Sequence, residues 1–265
     1  MMKNVDKYGL CADEYANNKN NANVYYNRAI GKSSEMEVSK ALSKIISKIV
    51  FKDNKILDVG CATGHFYRSL KKRIKKNFFY TGCDPYEIFL KLGKKAWKKE
   101  RNVNFVKGNI YDLPFKKNSF DIVYSSNVLL HLPEIVKPLK ELLRVTKKDL
   151  ILRTVVYDVS YKIQLVHNRK WFKSTNIKPE DEFDKKGDPR SFAYFNIHSF
   201  DYLKSVIKKI SPKSKIRFIK DDNFSRKNIT KSIKKEKRPL ATKIIGKEQF
   251  SGAIMQPHYF VLIKK

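Results

Sequence analysis

The stretch Lys55-Ile56-Leu57-Asp58-Val59-Gly60-Cys61-Ala62-Thr63-Gly64-His65-Phe66 decides how the rest of the chain is read. Ile56, Leu57 and Val59 make a short apolar run of the kind a buried strand needs. The run breaks into a glycine turn, and Phe66, Leu70 and Ile74 then recur four residues apart, which predicts a helix. Strand, tight turn and helix in this order is the nucleotide-binding start of a doubly wound α/β sheet. Glycine also turns βα units that bind nothing, so the reading depends on what surrounds the turn.

Upstream, residues 1–33 are polar and tyrosine-bearing and read as a mobile N-terminal helical arm or lid with a disordered first part; Tyr25, Tyr26 and Arg28 near its end are placed to close over a ligand. Ser34 and Glu37 have capping-box spacing. Val38, Leu42, Ile45, Ile46 and Ile49 behind them mark an amphipathic helix to about Val50. Downstream, strands are expected at 77–83, 103–106, 120–125 and 149–156. Helices lie between them, carried by Ile88, Phe89, Leu92 and Ala96 and by Ile135, Leu139, Leu142 and Leu143. This alternation predicts a mostly parallel sheet with crossover helices. Lys71, Lys72, Lys75 and Lys76 read as the solvated face of the helix after the turn. Residues 157–195 lose regularity and hold Trp171, Phe172, Phe183, Phe192, Tyr194 and Phe195, the composition of an inserted cap. A helix at 199–210 and strands at 215–219 and 259–263 close the chain.

The 265 residues suffice for one core. A net charge of +31 points towards a polyanion such as nucleic acid or an anionic membrane. Yet the 57 basic residues are 46 Lys and only 11 Arg, spread along the whole chain among Asn, Ile, Phe and Tyr. Arg is the side chain suited to forked phosphate and base contacts, so general compositional bias is the simpler source of the charge. Cys11, Cys61 and Cys83 have no C-x-x-C spacing, and His167, His198 and His258 are scattered, so neither a disulfide framework nor a metal site is expected. No apolar run reaches spanning length and no signal core opens the chain; a soluble cytoplasmic protein is the expectation.

Two adenosine cofactors compete for the turn. Dinucleotide binders use G-x-G-x-x-G, whose second glycine admits the pyrophosphate. Here Ala62 stands at that second glycine and His65 at the last. S-adenosylmethionine has no phosphate to cradle, and its carboxylate can still use the positive end of the following helix. Asp84, twenty residues beyond Gly64 at the end of the second strand, suits a ribose diol in either cofactor.

At this point the chain resembles the class I S-adenosylmethionine-dependent methyltransferases, of the type 11-like small-molecule kind, over roughly Lys55 to Val156. ILDVGCATG is similar to the family's first motif, which implies a cofactor loop of Asp58, Gly60, Cys61, Ala62 and Gly64. GCDP resembles the second and implies Asp84, with Pro85, at the ribose. GNIYDLPF resembles a stretch whose acidic residue receives the adenine amino group; Asn109 stands there instead, followed by Ile110. FDIVYSSNVLLHLPE resembles the fourth motif and implies that the backbone around Ser125 meets the methionine amino group. The resemblance further implies a Rossmann-like fold with a seven-stranded sheet whose last strand runs antiparallel. The chain then reads as one domain: arm and helix at 1–50, cofactor core at 51–156, substrate cap at 157–198 and closing elements at 199–265.

The methyl acceptor is expected outside the carboxyl ends of the strands. Asn127, His131, Arg153 and Thr154 are available there, with Trp171 and Tyr194 of the cap beside them. His131 suits a base by its ordinary pKa, although a hydrogen-bonded structural histidine is the more natural reading among Leu129, Leu130 and Leu132. The Asn/Asp-Pro-Pro-aromatic pattern of nucleobase amine methylation is replaced by Ser125-Ser126-Asn127-Val128. A small-molecule acceptor, such as a glycan or lipid precursor, is therefore the leading expectation. The alternatives are RNA held by Lys231–Arg238 and an inactive cofactor-binding scaffold.

Overall fold

The computed structural model describes residues 19–166, 185, 192–222, 225, 242–245, 248–251 and 258–265. The elements in chain order are α1 (Lys19–Ala29), α2 (Glu37–Ile49), β1 (Asn54–Val59), α3 (His65–Arg73), β2 (Phe78–Asp84), α4 (Glu87–Ala96) and β3 (Val103–Lys107). There follow β4 (Phe120–Ser126), a 3-10 turn (Leu129–His131), α5 (Val136–Val145), β5 (Thr146–Tyr157), β6 (Gln164–Val166), β7 (Phe192–Tyr194), β8 (His198–Ser199) and α6 (Phe200–Ile210). The chain closes with β9 (Lys215–Lys220), β10 (Thr242–Ile245), β11 (Glu248–Ser251) and β12 (His258–Lys264).

The main sheet runs β3-β2-β1-β4-β5-β12-β9, with the short β8 pairing the end of β5. β1 through β5 are mutually parallel, and β12 is antiparallel to both β5 and β9. The expected seven strands with a reversed last strand are present, and β12 is threaded between β5 and β9. One face of the sheet carries Ile56, Tyr80, Ile122, Tyr124, Ile151 and Phe260 under α2 and α3. The other carries Leu57, Val59, Val123, Leu150, Leu152 and Val261 under α5 and α6. Strands buried on both faces read as continuous apolar runs, which is why the parallel strands were visible in the sequence.

One local reading is corrected. The Ser34–Glu37 capping box does not form: α2 starts at Glu37, Met36 occupies the cap without a side-chain bond, and the Glu37 carboxylate takes Lys40 Nζ at 2.5 Å and the Ser225 N–H at 2.9 Å. A partner 188 residues away in sequence competes successfully for the carboxylate. The end of the polar arm forms the expected helix, α1, tied down by Arg68, whose Nη1 donates to Arg28 O at 3.0 Å and Ser33 O at 2.7 Å. Lys71, Lys72, Lys75 and Lys76 are all exposed, as expected; Lys71 pairs with Glu100 and Lys72 with Glu35 at the surface, and α3 ends before Lys75 and Lys76. The described part of the 157–195 insertion contains the β6–β7 ladder, in antiparallel register. Residues 1–18, Trp171 and the Lys231–Arg238 run lie outside the described residues.

Candidate active site

β1 lies between β2 and β4, so the connections from β1 and β4 leave the carboxyl edge in opposite directions and open a crevice there. The β1–α3 turn fills the floor of that crevice. Gly60, Ala62 and Gly64 take φ of +80°, +47° and +67°. A Cβ on Gly60 would lie 2.3 Å from Val128 Cγ2, so the loop after β4 closes directly onto the turn. Ala62 accepts a left-handed backbone at a cost of about 1–2 kcal/mol for a residue with a Cβ. Its N–H donates to Asp84 Oδ2 at 2.9 Å, a charge-assisted bond of a strength that offsets this cost. The Ala62 methyl meanwhile packs with Ala22 of α1 and Phe89 of α4. The alanine at a position of the dinucleotide fingerprint that calls for glycine is thus absorbed by its neighbours.

Asp84 is 5% exposed. Its Oδ1 accepts the Tyr86 N–H at 3.0 Å across Pro85, so each carboxylate oxygen holds one backbone donor and keeps lone-pair capacity for another. Burial without a paired cation pushes its pKa up to about 6, the two N–H donors opposing. Asp58, deeper in the sheet, accepts Tyr80 Oη at 2.7 Å, and burial raises it to about 7. The Asp58 carboxyl therefore belongs to the floor of the site. Cys61 is buried, its Sγ within 3.3 Å of Ala62 O, and burial raises its pKa well above the usual thiol value.

The remaining expected residues fall around this floor. Ser125 Oγ donates to Val59 O at 2.9 Å and locks β4 to β1. Asn109 Oδ1 accepts the Tyr111 N–H at 3.0 Å, and Ile110 is buried in the core beside it. Tyr25 sits over the turn, its ring 5.0 Å from that of His65 and 5.9 Å from that of Phe89, with the Arg28 guanidinium 5.7 Å above it. Beyond β4 the arrangement differs from a simple set of acceptor ligands. Asn127, at φ +59°, accepts Arg153 Nη1 on Oδ1 at 2.5 Å and donates its N–H to Arg153 O. Arg153 is 4% exposed and directs Nε and Nη2 to Asp221 Oδ2 at 2.8 and 2.7 Å. Arg153 and Asn127 are therefore bound to each other and to Asp221. Thr154 is fully buried and its hydroxyl has no partner among the described residues. Tyr194, at the end of β7, offers its carbonyl to His131 Nδ1 at 2.9 Å; His131 as a residue reaches the surface, while desolvation of its ring lowers its pKa.

Several residues were missed from the sequence. His65 was noted only as a departure from a dinucleotide fingerprint. It is buried, its Nδ1 has no hydrogen-bond partner among the described residues, and burial with the nearby Arg28 charge lowers it to about 3. The Thr63 hydroxyl is likewise buried and unpartnered. Asp221, Asn196 and Val128 carried no local signal at all, since each matters through a partner remote in the chain.

Comparison with known proteins concerns the fold and the domain. Residues 57–153 match the family described as a methyltransferase domain. An uncharacterized methyltransferase of Schizosaccharomyces pombe is 35% identical over 126 residues, covering 44% of this chain and 45% of that protein. Demethylmenaquinone methyltransferase of Staphylococcus aureus is 39% identical over 98 residues, 37% of this chain and 41% of that one. The chain thus spans less than half the length of these curated relatives. A solved S-adenosylmethionine-dependent methyltransferase of Methanosarcina mazei shares the fold, with a TM-score of 0.51 over 83% of this chain and 96% of that one at 18% identity. With its glycine turn, its Asp84 carboxylate and its β3-β2-β1-β4-β5-β12-β9 sheet, the chain carries a stretch, residues 57–153, that matches a methyltransferase domain, on a fold shared with a solved S-adenosylmethionine-dependent methyltransferase.

Proposed function

We propose that the protein binds S-adenosylmethionine in the crevice above β1 and transfers its methyl group to a small organic acceptor, in a cytoplasmic setting. The observation that carries this reading is the interlock of the β1–α3 turn with Asp84 beneath α1. The donors and acceptors fit the cofactor. Asp84 keeps acceptor capacity on both oxygens, as a ribose diol requires, and is already held rigid by the Ala62 and Tyr86 N–H groups. The unpartnered Thr63 hydroxyl and His65 Nδ1 stand at the start of α3, where polar groups of the methionine end would satisfy them. Gly60, Cys61, Ala62 and Gly64 would line the methionine part, Asn109 and Ile110 the adenine, and the Ser125 backbone the amino group, with Asp58 beneath and Tyr25 and Arg28 closing from α1. When bound, the cofactor supplies a methyl group on a positively charged sulfur, and the protein's main task is to align the acceptor.

The acceptor side would be formed by the β4 and β5 ends and the insertion, with Asn127 and Arg153 shaping the wall and His131 and Tyr194 facing the acceptor. A small acceptor is supported by an α1 that already packs over the cofactor turn. The test is mass spectrometry of the purified protein with calorimetric titration of S-adenosylhomocysteine. Co-purified S-adenosylmethionine or micromolar binding of the product supports the reading. Bound NAD in place of either would reject it.

A further inference from the structure

His131 ends the 3-10 turn Leu129–His131, and such a three-residue turn is too short to hold a side chain in register by itself. The chain returning from the insertion supplies the missing restraint. Asn196 is buried at 1% exposure, its N–H donates to Leu130 O at 2.7 Å, and its Nδ2 donates to Leu132 O at 2.6 Å. Its Oδ1 accepts the Ile163 N–H at 3.2 Å. One residue therefore clamps both flanks of His131, its backbone holding Leu130 and its side chain holding Leu132, and the side chain also ties the turn to the outgoing limb of the insertion. Tyr161 and Ile197 exchange two backbone bonds beside it, at 2.9 and 3.0 Å, and Leu130, Val155 and Ile197 pack beneath. The same return segment brings Tyr194 O to His131 Nδ1 and the Phe195 ring edge-on to the imidazole at 6.0 Å. The one carboxylate nearby in sequence, Glu134, is spent on the Val136 and Lys137 N–H groups.

A carbonyl oxygen only accepts, so Nδ1 must carry the ring proton, and the lone pair of the neutral imidazole is on Nε2. We propose that Asn196 is a positioning residue that, by clamping the Leu129–Leu132 turn against Tyr194, holds His131 in the Nδ1–H tautomer with Nε2 as a base. The acceptor is then one that must give up a proton: a hydroxyl, an ammonium or a carbon acid. This rests on the methyl-transfer reading above. In the step, Nε2 would take the acceptor's proton, before methyl transfer for an ammonium or carbon acid and during it for a hydroxyl, and the electron pair so freed would bond to the methyl carbon. The carbon–sulfur bond breaks with its electron pair left on sulfur, which becomes a neutral thioether, so charge and atoms balance.

The test reads the tautomer directly and needs no acceptor. The full-length chain, labelled with 15N-histidine, is examined by long-range proton–nitrogen NMR, with His131→Gln assigning the ring. In the wild type His131 is expected with a protonated Nδ1 and a bare Nε2. In Asn196→Ala, and in Asn196→Asp, which keeps the volume and the Ile163 contact but removes the donor to Leu132, it should pass to the Nε2–H form or a mixture. A wild-type Nε2–H ring overturns the proposal. So do folded variants that keep Nδ1–H, and so does loss of the fold in both variants, which would make Asn196 a structural residue only. S-adenosylhomocysteine titrated into the same samples should bind wild type and variants within twofold. Absent binding in the wild type would reject the methyl-transfer reading and leave the tautomer result standing.

Discussion

Replacing Gly60 by alanine tests the packing that defines the cofactor turn. The residue has φ +80°, and the added methyl would lie 2.3 Å from Val128 Cγ2, more than 1 Å inside ordinary contact. Left-handed backbone costs an alanine about 1–2 kcal/mol, and forcing an extra carbon into a packed site costs about 1–3 kcal/mol. Gly60→Ala should therefore lose about 2–5 kcal/mol, a large part of the roughly 5–15 kcal/mol typical of a folded domain. Val128→Ala removes the colliding carbon but leaves the backbone cost. The double variant should then be more stable than the sum of the single effects by about 1–3 kcal/mol, as expected for residues in contact. Urea unfolding followed by circular dichroism gives the four free energies of the cycle. Strict additivity, or a loss below about 0.5 kcal/mol in Gly60→Ala, a size usual for surface changes away from special sites, would refute the reasoning. The same samples should show weakened S-adenosylhomocysteine binding in Gly60→Ala, partly recovered in the double variant, because Val128 and the turn share one surface.

Asp84→Ala removes the acceptor of the Ala62 and Tyr86 N–H groups together with the proposed ribose contact. Calorimetric affinity for S-adenosylhomocysteine should fall more than tenfold and exchange of the Ala62 amide should accelerate; unchanged affinity would reject the ribose assignment. Asp58, at about 7 when folded against an ordinary 3.8, keeps its proton in the native state while the unfolded chain loses it. Its contribution to stability is therefore present at low pH and is lost as pH rises from about 4 to about 7. Asp58→Asn should remove that component of the slope, and unfolding free energies at several pH values, with wild type and variant running parallel, would show the carboxyl is not buried as described. Arg68→Ala frees the carbonyls of Arg28 and Ser33, so protease cleavage and hydrogen exchange across residues 19–33 should rise several-fold with the sheet unaffected; equal protection would mean that α1 is held by its apolar contacts alone.

The core of the fold was legible because its signals are local. The apolar runs of β1, β4 and β5 and the four-residue spacing in α3 state their own structure, and the glycine turn, Asp84 and the LPF stretch follow at fixed distances. The site was legible as far as those motifs reach. Where a residue acts through a distant partner the local signal misled. Glu37 has capping-box spacing yet bonds to Ser225, and Arg153 and Asn127 look like free acceptor ligands until Asp221 is placed beside them.

From the sequence alone came the order of strands and helices, the turn between β1 and α3, and the kind of ligand such a turn accepts. Periodicity and turn chemistry are written within a few residues, where backbone geometry alone selects the conformation. Only the tertiary structure decided that β12 lies between β5 and β9, that α1 packs on Ala62, and that the returning insertion clamps His131 through Asn196. Those arrangements depend on complementary surfaces brought together across 40 residues between Ala22 and Ala62 and 64 between Leu132 and Asn196. No local pattern specifies such pairings, because their stability arises only when both partners are already in place.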